Sequence, residues 1–357
     1  MALPTSRQLR IWGLVGLGFV LVLWLLGDVL LPFVLGAALA YFLDPVADRL
    51  QRLGLGRIGA TVTISLAALL AVVVAALLVI PVLAEQTSAM IASLPEISER
   101  LVTLVNTQFP SLADSESVLR QSLQSLAESV RERGGELANA LLGSAASVLD
   151  VVLLIVVVPV VTFYMLLDWD HLIARIDSLL PREHAPVIRR LASEIDRTIS
   201  AFVRGMGTVC LLMGAFYALG LMLVGLQFGL AVGLLAGLVT FIPYVGALVG
   251  GALALGIGLV QFWGDWVSLG LVAAVFVAGQ ALEGNVLTPK LVGGSVGLHP
   301  VWLIFALSVF GALFGFVGML VAVPVAASIG VLARFGMGLY LDSALYRGPA
   351  GGGDGPG

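Results

Sequence analysis

The sequence predicts an all-α polytopic membrane protein of about eight transmembrane helices, some broken or re-entrant, with a helical region outside the membrane. Of its 357 residues 59% are hydrophobic and 11% charged, with a mean hydropathy of +1.07, whereas a soluble domain carries about 25% charged residues. Apolar segments recur at about 11–27, 29–43, 61–83, 148–167, 203–224, 228–262, 266–283 and 301–333. Runs of this length suit helices of about 20 residues and exclude outer-membrane barrels, whose strands alternate over about 10.

The first region, 1–83, opens with Arg7 and Arg10 ahead of an apolar run, and Ala38-Leu39-Ala40 imitates a signal-peptidase site. The run continues to Leu43, beyond a signal core of about 7 to 15 residues, and reads as an uncleaved helical hairpin. Asp28 falls at its tip and Asp44 at its end, where each is expected as a solvated turn or cap residue.

Region 84–147 holds four basic and eight acidic residues, while 168–202 packs Arg175, Arg182, Arg189, Arg190 and Arg197 into 35 positions. With Arg49, Arg52 and Arg57 in the short 44–60 linker, the positive-inside rule places that linker and 168–202 in the cytoplasm and 84–147 outside. The outer region reads as helix, with Ile97, Leu101, Leu104, Val105 and Leu112, then Leu119, Leu123, Leu126, Val130 and Leu137, at three-to-four spacing. Such stripes bury against each other, a membrane surface or another subunit. After the 148–167 helix, Asp168 and Asp170 are expected to cap a helix beginning near His171.

The core, 203–335, must return Arg334, Arg347 and the 336–357 tail to the cytoplasm, so both termini are expected there if 228–262 crosses once. As one helix 228–262 would be about 50 Å long, too long for a hydrocarbon core of about 30 Å. Pro243 at its centre predicts a broken element, one crossing helix with a re-entrant piece. The Gly- and Pro-rich end from Gly348 is expected to be disordered. Gly225, Gly229, Gly233 and Gly237 repeat every four residues, as do Gly311 and Gly315, a spacing that serves close helix packing and is compatible with a pore lining.

Two stretches share a design: Gly237 to Gly246, interrupted at Pro243-Tyr244, and Gly318 to Ala326, interrupted at Pro324. Paired breaks expose helix ends and carbonyls to a solute in secondary transporters, although a structural kink fits each equally. The balance moves with Gln280-Ala281-Leu282-Glu283-Gly284-Asn285-Val286-Leu287-Thr288-Pro289-Lys290. Gln280 and Glu283 share a helix face, and Gly284 and Pro289 are expected to end the helix. A carboxyl at membrane depth resists ionisation and so can exchange protons or bind a cation. The competing reading makes Glu283 an interface residue, capped by water or paired with Lys290. We assign ion coupling to Glu283, Gln280, Asn285 and Lys290, and the solute path to Pro243, Tyr244, Thr288, Pro289 and Pro324.

Cys210 is the only cysteine, and His171, His184 and His299 lack ligand spacing, so no metal or cofactor is expected. The absence of Walker and HExxH motifs argues against an ATP-driven pump and an intramembrane metalloprotease, and no enzyme is expected. No nucleic-acid partner is expected.

The motif order Leu31-Pro32-Phe33 through Tyr41-Phe42-Leu43-Asp44-Pro45, Phe163 to Asp168, Arg204-Gly205, Phe241-Ile242-Pro243-Tyr244-Val245-Gly246, Glu283 to Lys290 and Gly297-Leu298-His299-Pro300 resembles the autoinducer-2 exporter (AI-2E) family of bacterial membrane proteins. The resemblance covers nearly the whole chain and is densest from 160 to 335. It implies a multi-pass protein of the bacterial inner membrane with eight helices, forming homo-oligomers, a ring of five being suggested. It further implies export of the quorum-sensing furanone autoinducer-2, or antiport of sodium or lithium for protons. A secondary transporter and a non-transporting envelope scaffold both remain, and a scaffold has no need of Glu283, Asn285 or Lys290.

Overall fold

A computed structural model describes residues 27–71, 145–292 and 297–347, with isolated helical positions at Leu14, Gly18, Leu21, Val22, Leu25, Val73, Val74, Glu85 and Thr103. The expected 84–147 region lies almost wholly outside them. Every regular element among the described residues is helical: α1 (Leu31–Arg52, after a 3-10 turn Gly27–Leu30), α2 (Arg57–Ala71), α3 (Ala145–Ser178), α4 (Ala185–Val224), α5 (Gly229–Val239), α6 (Val245–Gln261), α7 (Trp266–Leu282) running into a π-helical segment (Glu283–Val292), α8 (Pro300–Asp342) and α9 (Ala344–Arg347). Five are long and apolar enough to cross a bilayer: α1, α3, α4, α7 with its π segment, and α8. Only 11–33% of their most apolar windows is buried. A soluble helix hides its apolar face, so such exposure fits a lipid surrounding.

Several helices run on where the sequence suggested an end. At 34 residues α3 is about 50 Å long, and Asp168 and Asp170 lie inside it. Neither caps a new helix at His171; Asp168 instead faces His171 one turn on, at 3.9 Å. Likewise Asp44 sits within α1, followed by the in-helix Pro45. Polar residues near the ends of long membrane helices need not stop them, because backbone hydrogen bonds continue into water at no loss.

The described residues form two compact units. Among these residues, unit 1 comprises 27–49, 161–205, 292 and 297–347; unit 2 comprises 50–71, 145–160 and 206–291.

In unit 2 the 228–262 segment is broken as expected, but into two short helices about 16 and 25 Å long. They are antiparallel about Pro243. A Cβ at Gly246 would lie 2.5 Å from the Thr240 Cα, and one at Gly250 would fall on the Ala236 side chain. At the open end Gln261 donates to the Gly225 carbonyl at 2.8 Å and accepts from the Gln227 amide at 2.7 Å. One side-chain amide thus satisfies both a donor and an acceptor of the loop. The tip bends through Tyr244, whose φ of 69° is uncommon for a bulky residue.

Gly229, Gly233 and Gly237 bring α5 against the second half of α4, where a Cβ on each would strike Leu221, Tyr217–Ala218 and Gly214 backbone. Glycine at every fourth position lets the two backbones touch, the small-residue route to association where lipid offers no hydrophobic drive. Gly225 does not share this face; it closes α4 with a φ of 79°.

In unit 1 α8 also folds back. Gly315 has a non-helical φ of 58° and ψ of −137°. Around it Gly311 meets the Met319 side chain, Gly318 meets Phe310 backbone, and Gly330 meets Leu298. The expected break at Pro324 is therefore displaced to Gly315. Pro324 sits within the continuing helix, its turn supported by Ser328 donating to the Pro324 carbonyl at 2.8 Å. Gly315 reaches a positive φ without a Cβ clash and so can reverse the chain, whereas a proline, which removes one donor and crowds the preceding turn, is tolerated here within a continuing helix.

Candidate functional site

The site is built on α7. Asp265 caps its start, accepting from the amides of Val267 and Ser268, both at 3.2 Å, and from the Ser268 hydroxyl at 2.6 Å. The Ser268 hydroxyl and these amides hold the exposed Asp265 carboxyl below its ordinary range. Val272, Phe276 and Gly279 then form the buried face of the helix.

Gly279 leaves room for the wholly buried Tyr217 of α4, and a Cβ there would lie 2.7 Å from the ring's Cζ. The Tyr217 ring stacks on Phe276 with centroids 4.6 Å apart and planes 16° from parallel. The aromatic stack and a missing methyl thereby fix where the phenol oxygen points. There it accepts from Gln280 Nε2 at 3.1 Å. The same nitrogen donates to Glu283 Oε2 at 3.0 Å. Tyr217, Gln280 and the half-buried Glu283 thus form one hydrogen-bonded chain.

At Glu283 the backbone widens from α to π geometry and remains helical to Val292, with Pro289 inside it. Gly284 and Pro289 therefore do not end the helix as expected. A proline at 289 has no N–H, and a wider turn relieves the clash its ring would cause one turn back. Asn285 donates to the Ala281 carbonyl at 3.0 Å, turning back onto α7. Lys290 is exposed, and no ion pair within 4 Å joins it to Glu283. Thr288 is half-buried and Pro289 exposed on the same segment. Pro243 and Tyr244 lie at the hairpin tip of the same unit, and Pro324 belongs to the other unit.

Tyr217 is the residue that sequence reasoning missed. Nothing local marks it in Gly214-Ala215-Phe216-Tyr217-Ala218, and its partner lies 63 positions away. The available sign was a phenol deep in an apolar run, away from the interfacial belt where tyrosine is usual.

Long apolar helices, two fold-backs and an acid whose bonded partners are neutral define a polytopic α-helical membrane protein. The chain belongs to the AI-2E transporter family, whose description fits residues 14–336. It is 29% identical over 315 residues to the protein named "Putative permease PerM" of Escherichia coli K12, covering 86% of this chain and 87% of that one. It is 27% identical over 318 residues to "Putative transport protein YueF" of Bacillus subtilis 168, covering 84% and 81%. A "Putative transport protein" of Methanothermobacter thermautotrophicus is 27% identical over 319 residues, covering 89% and 88%.

Proposed function

We propose that the protein is a secondary transporter of the bacterial inner membrane, with both termini cytoplasmic, that uses Glu283 to couple solute movement to a monovalent cation. The observation that carries this reading is the chain from Tyr217 through Gln280 to Glu283. A carboxyl in an apolar helix, met by a neutral amide and by no cation within 4 Å, keeps room for a proton or sodium ion. The pairing with Lys290 that a structural role could use is not made. The family supports transport, and the activities linked to its members, export of autoinducer-2 and exchange of sodium or lithium for protons, support two cargo classes: a small polar solute moving outward, or a cation exchanged for protons. Association into a homo-oligomer of about five copies in the bilayer belongs to the same reading. Purified protein in liposomes loaded with proton- and sodium-sensitive dyes, challenged with a panel of small polar solutes, tests it. Ion flux that depends on an imposed gradient and vanishes in Glu283→Gln supports coupling. Absence of flux for every ion and solute in folded protein favours the scaffold reading.

A further inference from the structure

Unit 1 contains a polar cluster that the coupling site does not use. Pro45 lies inside α1 and has no N–H, so the carbonyl of Tyr41, four residues earlier, lacks its helical donor. In a half-buried turn such a carbonyl is costly to leave without one. Arg204 of α4 donates to that carbonyl from Nε at 2.7 Å. Its NH2 group lies 3.4 Å from Asp44 Oδ2, on the residue just before the proline. The Tyr41 hydroxyl donates back to α4, to Asp196 Oδ1 at 2.9 Å, and its ring packs edge-on against Trp169 of α3.

We propose that Arg204 is a positioning residue that replaces the hydrogen-bond donor Pro45 withholds from α1, pinning that turn of α1 to α4. The guanidinium suits the task because its fixed fork aims one N–H at a carbonyl and another at a carboxylate together; a lysine ammonium has no such fork. The ion pair with Asp44 is secondary. Both side chains are more than a third exposed, and half-solvated pairs contribute little.

The double-mutant cycle of Arg204 and Pro45 separates the carbonyl from the carboxylate. Arg204→Met should lower the melting midpoint of the full-length protein in detergent by several degrees, and Arg204→Lys should recover only part of the loss. Pro45→Ala restores a backbone N–H to Tyr41, so Pro45→Ala/Arg204→Met should melt close to Pro45→Ala alone, while Asp44→Asn should change little. If Arg204→Met does not accumulate, accumulation of the double variant is the supporting result, and failure of both counts against the proposal. Additive shifts of the two substitutions, or an Asp44→Asn loss equal to that of Arg204→Met, would overturn it. The further expectation that gradient-driven flux falls with Arg204→Met and returns in the double variant rests on the transporter reading. Melting does not depend on transport, so failure of one can be told from failure of the other.

Discussion

Glu283 lies where α7 gives way to wider turns, and its hydrogen-bonded neighbour is Gln280. Glu283→Gln preserves shape and hydrogen bonding while deleting titration. We expect the variant to reach the membrane and melt near the wild type but to lose ion-coupled flux, whereas Asp28→Asn transports nearly normally. Wild-type flux with an unchanged pH profile would make the acid structural. Lys290→Ala should weaken transport less than Glu283→Gln if the lysine only tunes the acid, and more if it holds an anionic solute. Gly279→Ala tests the support behind the acid: its methyl would collide with the Tyr217 ring and should cost about 1–3 kcal/mol of overpacking. Because Tyr217 must shift to make room, flux should fall further than the melting shift alone accounts for. At the start of the same helix, Asp265 has its carboxyl lowered by its capping bonds. The stabilisation this carboxylate contributes is fully present above the ordinary carboxylate value and is lost as pH falls through the lowered one. Asp265→Asn should remove this pH dependence while keeping most of the cap, as acid melting curves of both proteins would show.

Among elements, the glycine contact between α4 and α5 separates packing from propensity. A methyl at Gly237 meets Gly214 backbone, which cannot turn aside, whereas a methyl at the exposed Gly256 of α6 meets nothing within 4 Å. Gly237→Ala should therefore melt well below the wild type, and Gly256→Ala at or above it by about 0.5–1 kcal/mol, the usual helical gain over glycine. Gly318→Ala probes the α8 fold-back in the same way, since its methyl would enter the Phe310 carbonyl. Cysteines at 311 and 319 should crosslink in the parent protein if the fold-back forms in the membrane, and fail to do so when Gly318→Ala is added.

For the whole molecule, cysteines placed in a Cys210→Ser background report orientation. One at Ser115, outside the described residues, should react with an impermeant maleimide in intact cells, and one at Ser193 on α4 should not. The reverse pattern would reject the proposed topology. Mass in nanodiscs showing only monomer would remove the oligomer. The helical membrane class and the break near Pro243 were legible because run length and proline act locally. Gln280 and Glu283 were legible as a pair because three residues along a helix guarantee a shared face. Gly315 was not, since a glycine in an apolar run looks the same whether it packs or turns, and only the approach of Gly318 to Phe310 decides. Tyr217 was hidden for a related reason: its role arises from packing between α4 and α7, which no local spacing records. Asp44 and Asp168 misled because charge marks the approach of water, and a helix does not have to stop there.

The wide turns between Glu283 and Val292 amount to stored chain length. A π turn can be viewed as an α-helix that has absorbed an extra residue, so the segment can give one up. Deleting a single residue between 284 and 288 would let the helix tighten to ordinary pitch instead of breaking. Lys290 would then keep nearly its facing relative to Gln280, because the wider turn spends one more residue on the same rotation. At this place in the chain a change of length is taken up by pitch, so a residue can be lost while the side chains that share a side with the acid stay nearly where they are.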